Sequence, residues 1–169
     1  NPYSNFGNNG IVETSIVGKY NFSGGETLLL TEDNKILLSA TTPNSSPTKF
    51  SVFRFFLDGS LDSTFGTGGR TDIAFSSSDV SYDMTLDYNE KILLVGKGGS
   101  ESGLIRLNSD GTPDTTFAPD GKFTIDLSIG NGSNYLRTCL PLSNGDILAA
   151  GFDYTSNSGD YVVVKVTQN

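Results

Sequence analysis

Histidine and tryptophan are absent from this 169-residue chain, cysteine and methionine occur once each, and proline occurs six times. Without histidine, the usual general base for a serine or cysteine nucleophile is missing, and so are the imidazole ligands of most zinc sites. No Gly-x-Ser-x-Gly elbow or phosphate loop stands in for them, and the run Gly66-Thr67-Gly68-Gly69 lacks the strand-to-helix setting of a nucleotide fingerprint. Cys139 has no partner for an internal disulfide, and its setting, YLRTCLPL, reads as a small buried hydrophobe. No stretch approaches the ~20 apolar residues that span a bilayer, so membrane insertion is not expected. The opening NPYSNFGNNG has neither the basic start nor the apolar core of a signal peptide. Positive charge is also scarce: 11 Lys and Arg face 19 Asp and Glu, for a net charge of -8. Such a surface repels nucleic acid and anionic lipid, and it also keeps a glycine-rich β protein soluble.

Glycine is abundant at 20 residues, and 11 Phe and 7 Tyr supply core volume. The length suits one domain. Three landmarks recur in constant order. The first is SNFGNNG, STFGTGG and TTFAPDG, with Phe6, Phe65 and Phe117 in one column. The second is NKILLSA, EKILLVG and GDILAAG, aligned on Ile36, Ile92 and Ile147. The third ends an apolar run and places Arg54, Arg106 and Lys165 together. A period of fifty-odd residues marks a repeat architecture, with units at about 1–59, 60–111 and 112–169.

Each unit reads as four short strands, because β-branched and aromatic residues fill four windows and Gly, Asn, Asp, Ser and Pro fill the gaps. In the middle copy the windows are 70–75, 82–87, 91–96 and 103–108. The first copy gives 11–16, 26–31, 35–41 and 50–57, and the third gives 122–127, 135–140, 146–151 and 161–167. Asn144-Gly145 signals a two-residue hairpin, and Asp58-Gly59 and Asp110-Gly111 mark a second turn. Four antiparallel strands repeated in this way predict an all-β fold, a β-propeller segment of three four-stranded blades.

The spelling RFFLDGSLDSTFGTGGRTDI followed by NEKILLVGKG resembles the delta-60 repeat family of bacterial β-propellers. The likeness spans essentially the whole chain, although Tyr3 replaces the acid found at Asp62 and Asp114, and Ala118 replaces the glycine found at Gly7 and Gly66. This resemblance implies a secreted or cell-surface bacterial protein whose propeller binds or displays, and it supplies no catalytic residue. Three blades fall short of the four to eight that close a ring. Bare blade faces then call for a cover: a second copy, further blades, or another protein partner.

The candidate sites follow from the repeat. Arg54, Arg106 and Lys165 are expected to form one inter-blade salt bridge each, with Asp62 and Asp114 as acids. Asp58-Ser60-Asp62 and Asp110-Thr112-Asp114 alternate oxygen ligands as calcium favours, but no bidentate acid follows, and a turn-forming role is preferred. Calcium is the one cofactor this spelling leaves open. The polar loops at 18–25, 41–50 and 153–161 differ between copies, and Tyr20, Phe22 and Tyr154 within them could anchor a protein or stack on a glycan. The best enzymatic alternative is carboxylate glycoside chemistry by Glu13, Asp72 and Asp126, on strands expected to face a central channel.

Overall fold

A computed structural model describes residues 5–14, 27–42, 48–127, 133–154 and 159–167. These residues form eleven strands and no helix: β1 Leu28–Leu30, β2 Ile36–Thr42, β3 Lys49–Phe55, β4 Arg70–Ile73, β5 Val80–Leu86, β6 Ile92–Gly98, β7 Glu101–Leu107, β8 Lys122–Ile125, β9 Ser133–Pro141, β10 Ile147–Tyr154 and β11 Gly159–Val166. They make three antiparallel sheets, ordered β1-β2-β3-β4, β5-β6-β7-β8 and β9-β10-β11.

Sheets and sequence repeats are one strand out of phase. The segments at Arg70 and Lys122 open the second and third repeats, yet each closes the sheet before it, with β4 pairing β3 and β8 pairing β7. A strand's own residues state that it is half-buried, not which neighbour it pairs with, so the expectation of one self-contained sheet per repeat is corrected here. Ile11–Thr14, in the same column as β4 and β8, belongs to none of the described sheets; Ile11 makes only a local bridge to Asn8.

The hairpins between the second and third strands of each repeat share one design. Leu142 N–H donates to the Asp146 carbonyl at 2.8 Å and Gly145 N–H to the Leu142 carbonyl at 2.9 Å, with Gly145 at φ 90. Asn34 (φ 60) and Glu90 (φ 59) hold the matching position in the other two. Each is a three-residue loop ending in one left-handed residue, so the predicted two-residue turn at Asn144-Gly145 is one residue too short.

The sheets stack face to face. Leu37, Phe50 and Val52 of the first sheet pack against Met84, Ile92, Leu94, Ile105 and Leu107 of the second. On its other side the second sheet presents Leu93, Val95 and Leu104 to Leu136, Cys139, Ile147 and Ala149 of the third. The two cores are separate, each shared by one pair of sheets, which is blade packing rather than a sandwich or barrel around a common core. Inter-sheet contact concentrates on the first three strands: β5 packs on β1, β2 and β3, and β9 on β5, β6 and β7. The first strands therefore converge, and β4 and β8 lie at the outer edge.

Candidate functional site at the inner edge

Two β-bulges occupy the same column of the converging strands. In β5 the register shifts between Ser81 and Asp83, which leaves Tyr82 without a cross-strand partner. In β9 the shift skips Arg137, between Leu136 and Thr138. A bulge redirects the side chain it carries. Here the Arg137 guanidinium lies 3.8 Å from the centre of the Tyr82 ring and 5.9 Å from that of Phe152. Tyr135 packs edge-on to Tyr82 at 6.4 Å, and the Lys97 ammonium lies 5.5 Å from the Tyr135 ring. Burial pushes the Tyr82 phenol above its ordinary pKa while Arg137 pulls it back. Arg137 itself is exposed, so a cation pre-oriented by aromatic rings faces outward on an acidic chain.

Asp83, beside the bulge, ties the three first strands together. Its carboxylate accepts from Thr27 Oγ1 at 3.4 Å, Thr138 Oγ1 at 2.8 Å and the Cys139 N–H at 3.2 Å. Cys139 is buried as its context predicts, and burial, with Asp83 adding to it, pushes its thiol up to about 12. Neither Asp83 nor the bulge pair was legible as a site, because an acid or tyrosine in a strand reads as a solvent-facing residue. One signal was available: aligning VSYDMTL with YLRTCLP puts Tyr82 and Arg137 in one column, where the alternation is broken.

The repeat residues hold the loops that follow β3 and β7. Arg54 Nε donates to Asp62 at 2.9 Å and its Nη1 to the Ser109 carbonyl of the next sheet at 2.6 Å, with its guanidinium 4.8 Å from the Phe65 ring. Arg106 Nε donates to Asp114 at 2.6 Å, Lys91 joins that carboxylate at 2.8 Å, and Phe117 takes the place of Phe65. The salt bridge is thus local to one sheet and its following loop, correcting the inter-blade expectation; of the bonds these two arginines make, the one from Arg54 to Ser109 reaches the next sheet. Lys165 bridges to Asp146 at 2.7 Å instead. Burial would raise the Asp114 pKa, but hydrogen bonds from Lys91, Thr116 and Arg106 outweigh it and hold the carboxyl far below its ordinary range.

The acids of the alternating spelling are engaged as turn formers. Ser60 N–H and Oγ both donate to Asp58, at 2.8 and 2.6 Å, and Thr112 does the same to Asp110 at 2.9 and 2.6 Å. Among the described residues no group of three or more Cys, Asp or Glu side chains gathers as a metal would require. Asp72 lies on β4 at the outer edge, hydrogen-bonded by Arg70 and by Ser51 Oγ at 2.7 Å. Asp126, just past β8, accepts from Asn134 at 3.3 Å. Glu13 lines an outer groove of about 760 Å³ with Asn8, Asp58 and Ser60. The channel-facing placement of Asp72 and Asp126 is therefore corrected, since β4 and β8 close sheets instead of opening them, and the segment that carries Glu13 joins none of the described sheets. Tyr20 and Phe22 lie outside the described residues. Tyr154 sits half-exposed at the end of β10, 6.0 Å from Phe152.

No curated protein matches the chain. A family model described as a domain of unknown function (DUF5122) beta-propeller matches residues 31–65 and 90–117. Both matches run from the first hairpin of a sheet through its third strand to the Phe65 or Phe117 loop, so one unit is found twice. The chain is a β-propeller of three stacked sheets, and its first two sheets contain the segments similar to that family's model.

Proposed function

We propose that this chain is a non-enzymatic binding and display module of a secreted or surface-attached bacterial protein, acting through protein–protein assembly or adhesion. The observation that supports this reading most is the exposed Arg137 held on Tyr82 at the inner edge. Tyrosine presents a large area on few rotatable bonds, Arg137 is already held by the rings beneath it, and arginine and tyrosine are both enriched among the residues that dominate interface energetics. Their position on two bulges separates them from the repeat residues, which are consumed by structure. Asp72 and Asp126, two of the carboxylates considered for glycoside chemistry, lie on or just past outer strands and serve as hydrogen-bond acceptors, which weighs against catalysis, and the reading needs no cofactor.

The test is a pull-down from the source cell with immobilised wild-type, Arg137→Ala and Tyr82→Ala proteins. The expected result is a captured protein whose apparent affinity drops about ten-fold or more in both variants, equivalent to roughly 1.4 kcal/mol. Capture that both variants leave unchanged would overturn the site. A glycan-array signal lost in the same variants would replace the protein partner with a carbohydrate, and hydrolysis of any member of a polysaccharide panel would refute the non-enzymatic reading.

A further inference from the structure

Acids outnumber Lys and Arg 19 to 11 in this chain, so an unpaired cation is the less expected state of a basic side chain. Ten of the eleven cations lie among the described residues, and seven of those ten form a salt bridge. Lys49, Lys97 and Arg137 form none with a described residue. Lys49 opens β3. The other two meet at one place, the inner edge of the seam between the second and third sheets.

Each sits on a ring of the opposite sheet. The Arg137 guanidinium of β9 lies 3.8 Å from the centre of the Tyr82 ring of β5, and the Lys97 ammonium of β6 lies 5.5 Å from that of Tyr135 of β9. The two rings touch edge-on at 6.4 Å. The exchange takes residues from both sheets, so the stack, not one strand, positions the cations. A ring attracts a cation by about 0.5–1 kcal/mol at an exposed site and leaves its N–H donors free for a ligand.

The acid next to Tyr82 in sequence does not quench them. The Asp83 carboxylate is engaged in the seam, where Thr27, Thr138 and the Cys139 N–H donate to it. Nor does the arrangement repeat. In the column of Lys97 the first sheet has Thr41 and the third has Phe152, and in the column of Tyr135 the second sheet has Val80. At the first seam Thr41 Oγ1 accepts the Ser81 N–H at 3.0 Å, a bond with no charge in it. A polysaccharide of repeating sugars calls for repeated subsites. One asymmetric pair of cations suits a single protein segment.

We infer that Arg137 and Lys97 form an anion-binding pair for an acidic segment of a protein partner, each taking one side-chain carboxylate. This deepens the reading of the inner edge as a protein-binding site and rests on it. A carboxylate accepts two parallel N–H bonds from a guanidinium, whereas the ammonium offers a point charge. Tyr82 and Tyr135 flank the contact with ring surface that limits its access to water, and a charge pair is worth more there than in bulk solvent. The net charge of -8 opposes an acidic ligand. At physiological ionic strength, charges beyond about 8 Å are largely screened, so the cations in direct contact decide the sign.

Fluorescence anisotropy with a labelled hexaglutamate peptide at physiological ionic strength tests the pair. Binding should weaken about five-fold or more in Arg137→Ala and in Lys97→Ala, and should vanish in Arg137→Glu. Arg137→Lys should keep part of the affinity, and Lys49→Ala, which removes the unpaired cation outside the cluster, should keep all of it. The glutamine counterpart of the peptide should not bind. Circular dichroism matching the wild type confirms that each variant folds. Absence of hexaglutamate binding, or equal weakening by Lys49→Ala, overturns the inference. If the pull-down partner is lost in Arg137→Ala while hexaglutamate fails to bind, the protein-binding site stands and its acidic ligand falls. Polygalacturonate that binds more tightly than hexaglutamate, through the same two cations, overturns the inference in favour of an acidic polysaccharide.

Discussion

The second and third sheets share a sequence pattern and differ in what lies in front of them. Leu93 and Leu104 of the second sheet are completely buried, while Val163 of the third, built on the same column, faces solvent. The Arg106–Asp114 pair of the second sheet is sealed, with side chains 6% and 2% exposed, while the Lys165 side chain in that column is 50% exposed. Burial in this molecule therefore belongs to the position in the stack as much as to the residue. A strand with an apolar face is only a request for a neighbour.

That contrast can be broken most severely at the ion pair. Arg106→Ala takes one of two cations from the buried Asp114 carboxylate, Lys91 remaining, and should cost about 1.5–3 kcal/mol in urea unfolding. Lys165→Ala, at an exposed pair, should cost about 0–1 kcal/mol. Equal losses would mean that the third sheet is sealed like the second. The same pair sets an acid limb. Because the Asp114 pKa is lowered from its ordinary value of 3.8, its contribution is complete above that value and is lost as the pH falls below it. Melting temperature should fall on acidification from pH 5 to roughly pH 2, and Asp114→Asn should flatten that fall while lowering stability at neutral pH.

Glycines sharpen the comparison on a smaller scale. Gly111 has φ +86, and an added Cβ would lie 2.7 Å from the Phe65 ring that the preceding loop seats on it. Gly111→Ala should destabilise by about 1–3 kcal/mol. Gly68 also has positive φ, but its surroundings are open, so Gly68→Ala should cost only about 1 kcal/mol from backbone strain. Chemical denaturation of the two variants separates seam packing from turn strain.

Much of the fold was legible because the apolar columns at Ile36, Ile92 and Ile147 repeat through it with the turns between them. The phase of the sheets was not. Arg70–Ile73 has the same alternation whether it opens one sheet or closes another, and only the Asp62–Gly69 loop geometry decides. The role of Arg54 was half legible: its repetition promised an acid partner, but Asp62 is eight residues away in the same connection, and the reach to Ser109 uses a backbone carbonyl that no side-chain pattern reveals. At the inner edge, Tyr82 and Arg137 are visible as a site only once a bulge removes them from the ladder, which is a property of register and not of composition.

The stack hides one column in the second sheet and leaves it open in the third. Thiol labelling of Leu104→Cys and Val163→Cys, in protein dilute enough to be a single 18.0 kDa chain, measures that difference directly, with buried Cys139 as an internal control. The prediction is that the thiol at 163 reacts as fast as in denaturant, while those at 104 and 139 react only after unfolding. Equal protection of the thiols at 104 and 163 in the single chain would contradict it.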